Sequence, residues 1–366
     1  MKFSKVGRVA AVAALAALTL TSCAANETGA SAGSTDEAAS ELTGTLVGGG
    51  ASSQQSAQEA WVAAFQSAHP DVTVEYDPAG SGAGRDTFTA GGSAFAGSDR
   101  AFKDEELAED NFAACVPGTG LIELPAYISP IAVIFNLEGI DTLNLDAATV
   151  AGIFAGTITN WNDEAIVSQN ADADLPDQAI TAVHRADDSG TTENFTDYLH
   201  ATAPDVWTNE ADGVWPIEGG EAASQTSGVI DAVTNGTGTI GYADASRAGD
   251  LGTVSIKVGD EYVPYSAEAA AAIVDASPAA EGRSEGDLAI ELDRASTEAG
   301  VYPIVLISYL IGCTEYEDAE SAALVKEYFS YIVSEEGQKV SADAAGSAPI
   351  SSAIAEKSAA AIELIK

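Results

Sequence analysis

The sequence predicts an α/β protein, and two observations carry that expectation. Short apolar runs alternate along the chain with stretches whose apolar residues recur at helical spacing. The 366 residues are 46% hydrophobic, enough core for about two domains and unlike a disordered acidic segment.

The first element is an address. Lys2, Lys5 and Arg8 form a basic start, and Val9–Leu20 is an apolar run too short to span a bilayer. Residues 1–22 are therefore expected to be an export leader. Leu20-Thr21-Ser22-Cys23 is similar to the lipobox of bacterial lipoproteins, in which the Cys is acylated and becomes the first mature residue; the alternative is an ordinary leader with an incidental Cys. Ala24–Leu42 is rich in Ala, Ser, Gly, Thr and Glu without apolar periodicity, so residues 23–43 read as a flexible tether. The expected location is the extracytoplasmic face of the cell membrane, held through lipid on Cys23.

Charge narrows the partners. Fifteen Lys and Arg face 56 Asp and Glu, a formal charge of −41; without the leader's three cations 12 basic residues remain and the charge is −44. A nucleic-acid binder needs clustered cations against phosphates, so no nucleic-acid partner is expected. One small anion is not excluded, because salt screens surface charge beyond roughly 8 Å. Three Cys and three His are too scattered for a metal cluster, and no metal or other cofactor is expected. With Cys23 acylated in an oxidising space, Cys115 and Cys313 remain as an even pair, either bonded to each other or two buried thiols.

Four junctions carry the chemistry. The strand-like Gly44–Val47 leads into Gly48-Gly49-Gly50-Ala51-Ser52-Ser53, and Ala57, Ala60, Trp61, Ala64 and Phe65 then mark one helix face. Val72–Tyr76 alternates as a strand and meets Gly80-Ser81-Gly82-Ala83-Gly84-Arg85 at a helix start. Ala94-Phe95-Ala96 leads to Gly97-Ser98-Asp99-Arg100, and Ile180–Val183 to His184-Arg185-Ala186-Asp187-Asp188-Ser189-Gly190-Thr191-Thr192, followed by a helix with Phe195 and Leu199 on one face. A helix N-terminus exposes unpaired N–H donors with partial positive charge. Glycine lets the backbone approach a ligand, and Ser or Thr adds a hydroxyl. Several such ends converging make a neutral cup for an oxyanion. Each alone is more often just an N-cap; four in one chain, one of them with Arg185 and an Asp-Ser-Gly-Thr turn, favour the cup.

On these residues the chain resembles the phosphate-binding proteins of bacterial ABC phosphate importers. The likeness spans most of residues 44–350, with Arg185-Ala186-Asp187-Asp188-Ser189-Gly190-Thr191 its most specific segment. Phe154–Trp161 and Gly238–Tyr242 are further landmarks, expected to be structural. The resemblance implies hydroxyl donation to phosphate from Ser52, Ser81, Ser189 and Thr191. It implies N–H donation from Ser53, Gly190 and Thr191, a bidentate contact from Arg185, and acceptance of the phosphate proton by Asp99. Family members often carry a bulky residue where Ser53 stands. Asp99 reads otherwise as a helix cap, and Arg185 as an ion-pair partner of Asp187. Arg85 is not carried over and is expected near the rim.

The implied fold is two α/β lobes of the periplasmic-binding-protein kind, type II-like, with a ligand cleft between them and two hinge crossovers. Lobe one is expected at 44–128 plus 306–366 and lobe two at 129–305, with Ala126–Phe135 and Tyr302–Ser308 as crossing strands. The implied partners are inorganic phosphate and ABC permease subunits, with the protein a monomer. The alternative is a binder of another oxyanion such as sulfate or molybdate. A third reading, an exported phosphatase or other hydrolase, lacks the histidines for metal ligation, and nothing in the sequence pairs a His with Ser189. Gly29-Ala30-Ser31-Ala32-Gly33 fits a nucleophile elbow by letter but has no strand before it. The protein is not expected to be an enzyme.

Overall fold

The computed structural model describes residues 42–109 and 111–366. The leader, Cys23, Gly29–Gly33 and the tether up to residue 41 lie outside the described residues. Among the described residues no helix is long and apolar enough to cross a membrane.

Among the described residues eleven strands form one mixed sheet: β1 Gly44–Gly50, β2 Val72–Asp77, β3 Phe95–Ser98, β4 Leu121–Asn136, β5 Thr142–Leu145, β6 Thr181–Arg185, β7 Glu221–Ala223, β8 Thr239–Asp244, β9 Gly252–Val258, β10 Glu261–Val263 and β11 Val305–Cys313. The order is β2-β1-β3-β11-β4-β8-β6-β7, with β9 on β4 and with β5 and β10 on β9. Parallel neighbours in each half (β1 between β2 and β3, β6 between β7 and β8) are joined by crossover helices. This is the two-lobed α/β class that the sequence anticipates.

β4 connects the halves. Its residues Leu121–Pro130 pair with β11, whereas Ile131–Asn136 pair with β8. Buried on both faces, it reads as an apolar run, as strands covered on two sides do. It begins earlier than the expected Ala126, because Glu123 and Pro125 interrupt the apolar pattern without ending the strand. β11 likewise runs Val305–Cys313 rather than 302–308; Pro303 precedes it, and Tyr302 N–H is taken by Ala269 O. Register slips between Ser308 and Tyr309, where β4 holds an extra residue, Ala126. Cys115 and Cys313 are joined by a disulfide.

Two sequence expectations change locally. Gly48–Gly50 belong to β1 rather than to a loop, since a Cβ at Gly48 would collide with the Phe95 ring. The third junction has no helix at Asp99: the next helix is Asp104–Ala108, with Lys103 at its N-cap. The Phe154–Trp161 and Gly238–Tyr242 landmarks meet, Trp161 Nε1 donating to Gly238 O at 3.1 Å.

Where β4 changes partners, Tyr127 Oη donates to Asp244 Oδ1 and Oδ2 at 3.0 and 3.1 Å. Burial lifts the Asp244 carboxyl from its ordinary 3.8 to about 6. A raised folded-state pKa means that the native chain holds this proton more tightly than the unfolded one. Stability from this group is therefore complete below about pH 4 and is lost as pH rises toward about 6. Asp244→Asn should accordingly gain stability relative to the wild type on going from about pH 4 to about pH 7, by up to about 3 kcal/mol. Urea unfolding at both pH values measures this, and an equal gap at the two would contradict it.

Candidate functional site

Three chain turns bring one side of the site together. Gly50 lies at φ 139°, and a side chain there would strike the Gly97 carbonyl, so β1 and β3 end in close backbone contact. Ser52–Gln54 form a 3₁₀ turn that opens the helix Gln55–Ala68. Gly80 at φ 112° starts the helix Ser81–Thr89, and a Cβ there would lie 2.7 Å from Asp187 Oδ2 and 3.6 Å from Arg185 Nη2. Asp99 follows β3 directly.

The other side comes from the Arg185–Thr192 segment. Ser189 caps the helix Gly190–Thr202, accepting from Thr192 N–H at 3.3 Å. Gly190 abuts the facing turn so closely that a Cβ would lie 2.6 Å from Asp99 Cβ and 2.8 Å from Ser81 Oγ. No larger residue fits between them.

All eight residues singled out in the sequence are buried here: Ser52, Ser53, Ser81, Asp99, Arg185, Ser189, Gly190 and Thr191. Asp99 is the hub. Its Oδ1 accepts from Ser53 Oγ and from Ser308 Oγ, both at 2.6 Å, and its Oδ2 from Thr191 Oγ1 at 2.9 Å. Its N–H donates to Ser81 Oγ at 3.2 Å, and its carbonyl accepts from Asn194 Nδ2 at 2.7 Å. The carboxylate caps no helix; it is an acceptor set among hydroxyl donors. Arg185 Nε donates to Asp187 Oδ1 at 2.9 Å, and Nη2 pairs with Oδ2. That occupies one edge of the guanidinium and leaves the Nη1/Nη2 edge as a two-pronged donor. The ion-pair reading and the ligand reading of Arg185 are thus compatible. Its N–H rests on Tyr242 Oη at 3.3 Å; burial pushes that phenol up to about 12.

Arg85 departs from expectation. It is buried rather than at the rim: Nη1 donates to Ser98 Oγ at 2.8 Å, and Nη2 lies 3.6 Å from Asp188 Oδ1 across the cleft. Burial and the Arg100 charge lower its pKa. His184 stacks on Trp215, with centroids 4.9 Å apart, and takes no part in the cup.

Three contributors were not singled out in the sequence: Asn194, which holds the Asp99 carbonyl, Ser308 and Thr226. Ser308 sits in the apolar run of β11, and the register slip beside it accompanies its contact with Asp99. Thr226, at the start of the helix Gln225–Asn235, meets Ser52: Thr226 N–H donates to Ser52 Oγ at 3.1 Å. Ser224 before an apolar periodic run was the available signal for that helix start. Among the described residues no group of His, Cys, Asp or Glu could hold a metal ion.

Comparison places the chain in a family. The PBP superfamily domain matches residues 33–336. Over 377 aligned residues the chain is 32% identical to Phosphate-binding protein PstS2 of Mycobacterium bovis (strain BCG / Pasteur 1173P2), covering 100% of both chains. It is 33% identical over 341 residues to Phosphate-binding protein PstS3 of the same organism, covering 90% of each. Among solved structures, the periplasmic phosphate-binding protein PfluDING, bound with phosphate, has a TM-score of 0.69 at 22% identity, covering 87% of this chain and 93% of that one. At that identity the likeness is one of fold.

Proposed function

Since the chain belongs to the PstS phosphate-binding proteins of the PBP superfamily, we propose that it captures inorganic phosphate outside the cytoplasm and hands it to the permease subunits of an ABC importer. The observation that carries this reading is the Asp99 hub: one carboxylate surrounded by hydroxyl donors, beside a guanidinium with one edge free. Inorganic phosphate keeps at least one proton near neutral pH. Its P–OH replaces a hydroxyl on Asp99. Its remaining oxygens accept from the hydroxyls of Ser52, Ser81 and Ser189, from the Thr191 hydroxyl that the P–OH displaces, from the N–H groups of Ser53, Gly190 and Thr191, and from the Arg185 edge. These donors are neutral apart from Arg185, so the −44 charge elsewhere is screened and does not oppose binding.

In this reading residues 44–128 with 306–366 form one lobe and 129–305 the other, and phosphate joined to both favours closure. The change of partners in β4 at Pro130 supports a crossing there. Cys23 carries the lipid that holds a monomer to the membrane. Ser189 supports a carrier rather than a hydrolase, since among the described residues its hydroxyl is a helix cap with no histidine bonded to it. A rival oxyanion such as sulfate or molybdate meets Asp99 without a proton to offer.

Calorimetric titration of the mature chain with phosphate, and again with excess sulfate present, tests the assignment. Tight phosphate binding that sulfate leaves unchanged is expected. Absence of phosphate binding, or displacement by comparable sulfate, would overturn it.

A further inference from the structure

Ser52 and Thr226 stand 174 residues apart and meet in the buried cup. Ser52 Oγ accepts from Thr226 N–H at 3.1 Å and lies 3.0 Å from Thr226 Oγ1. A serine hydroxyl has two acceptor lone pairs and one proton. Thr226 brings two donors, its N–H and its O–H. With both aimed at Ser52 Oγ, the lone pairs are filled and Ser52 is left with its proton alone to give.

We propose that Thr226 is a positioning residue of the anion site, which holds Ser52 as an obligate hydrogen-bond donor toward the bound oxyanion. The inference rests on the phosphate-binding reading and deepens it. Either hydroxyl of the pair can donate to the other, and an oxyanion within reach of Ser52 sets the direction. Thr226 O–H then points to Ser52 Oγ, and Ser52 O–H points to the ligand. Hydrogen bonds in such a chain polarise one another, so the Ser52 donor is strengthened as well as oriented.

The helix that carries Thr226 is fixed for this purpose. Val229 and Val233 pack with Ala132, Ile134, Val183 and Ala243 in a small core of their own. Gln225, just before Thr226, has φ 62°, the one non-glycine residue in that region among the described residues. Such a conformation is unfavourable for a non-glycine residue and persists where the surroundings impose it. Here Gln225 N–H donates at 2.9 Å to Asp187 Oδ1, the oxygen that also takes Arg185 Nε. Two successive N–H groups thus serve two ligand-facing groups, one through a carboxylate and one directly. Because Ser52 and Thr226 come from opposite sides of the cleft, Ser52 acquires its fixed role when those sides meet.

Stopped-flow tryptophan fluorescence and calorimetry with inorganic phosphate test this on the mature chain. The variants are Thr226→Val, Thr226→Ser, Ser52→Ala and the Ser52→Ala/Thr226→Val double. Thr226→Val is expected to release phosphate about tenfold faster with an unchanged association rate, the loss of one buried hydrogen bond. Thr226→Ser restores slow release. In the Ser52→Ala background Thr226→Val adds nothing, since its effect passes through Ser52. Release at the wild-type rate from Thr226→Val, or the same acceleration with and without Ser52, overturns the inference. Should the valine variant lose its circular dichroism, Thr226→Ala carries the same comparison. A wild-type chain that gives no phosphate signal removes the phosphate reading and this inference together. Binding by the wild type with an unmoved Thr226→Val removes this inference alone.

Discussion

Arg185→Ala should weaken phosphate binding by roughly 10³-fold, the scale for truncating one partner of a buried, hydrogen-bonded charge pair. The side chain is 2% exposed, so its contact with an anion is little diluted by water. Asp187 holds one edge of the guanidinium flat, and Gln225 N–H in turn steadies Asp187. The free edge is thereby aimed before any ligand arrives, and little ordering cost remains to be met on binding. Lysine cannot stand in: one ammonium cannot hold Asp187 along one edge and fork onto two phosphate oxygens along another. Arg185→Lys should therefore recover only a small part of the loss. The alanine variant is expected to keep its fold, because the Asp187 side chain is 23% exposed and water can take up its carboxylate. Calorimetry on a variant whose far-ultraviolet spectrum matches the wild type measures the effect; an affinity within about tenfold of wild type would show that Arg185 serves Asp187 alone.

The close approach of the site's turns was largely legible in the sequence because it is backbone chemistry written in residue types. Glycine beside serine after a strand marks places where the main chain must come close and still offer a hydroxyl, and Gly50, Gly80 and Gly190 each stand at such a contact. What was not legible depended on contacts between distant segments. Ser308 lies inside a continuous apolar strand, and only the offset against Ala126 distinguishes it. Thr226 owes its place to a helix start whose Gln225 adopts a conformation for which glutamine gives no warning. Arg85 was expected near the rim because no ligand contact carried over to it, but Ser98 accepts its N–H and Asp188 faces its charge inside. The third junction lacks its helix for a related reason: three hydroxyls from elsewhere claim the Asp99 carboxylate, so it cannot cap a following turn.

That same claim on Asp99 sets the largest expected effect, the choice between phosphate and sulfate. Among the described residues every partner of the carboxylate is an O–H donor: Ser53 and Ser308 on Oδ1, Thr191 on Oδ2. A ligand entering beside it must replace a donor with a donor. Phosphate does so with its own P–OH. Sulfate, fully deprotonated, brings only lone pairs against lone pairs, in a place where Asp99 is 3% exposed and water cannot intervene. Sites built around a ligand hydroxyl reject analogues that lack it by roughly 10⁴–10⁵-fold, and the wild-type preference for phosphate should fall in that range. Asp99→Asn removes the negative charge and, with its carbonyl left toward Ser53 and Ser308, puts an amide N–H₂ in place of Oδ2 that sulfate can accept from and that frees the Thr191 hydroxyl. Sulfate affinity should then rise and phosphate affinity fall, leaving a preference of no more than about 10²-fold. The discriminating proton belongs to the ligand, so the wild-type preference should hold from mildly acidic to mildly alkaline solution, wherever phosphate keeps one proton and sulfate none. Equilibrium dialysis with labelled phosphate and sulfate, wild type beside Asp99→Asn, reads both affinities directly. An asparagine variant that still rejects sulfate as strongly as the wild type would mean that the hydroxyls and Arg185 discriminate by shape, with the carboxylate serving only to hold Ser53, Ser308 and Thr191 in place.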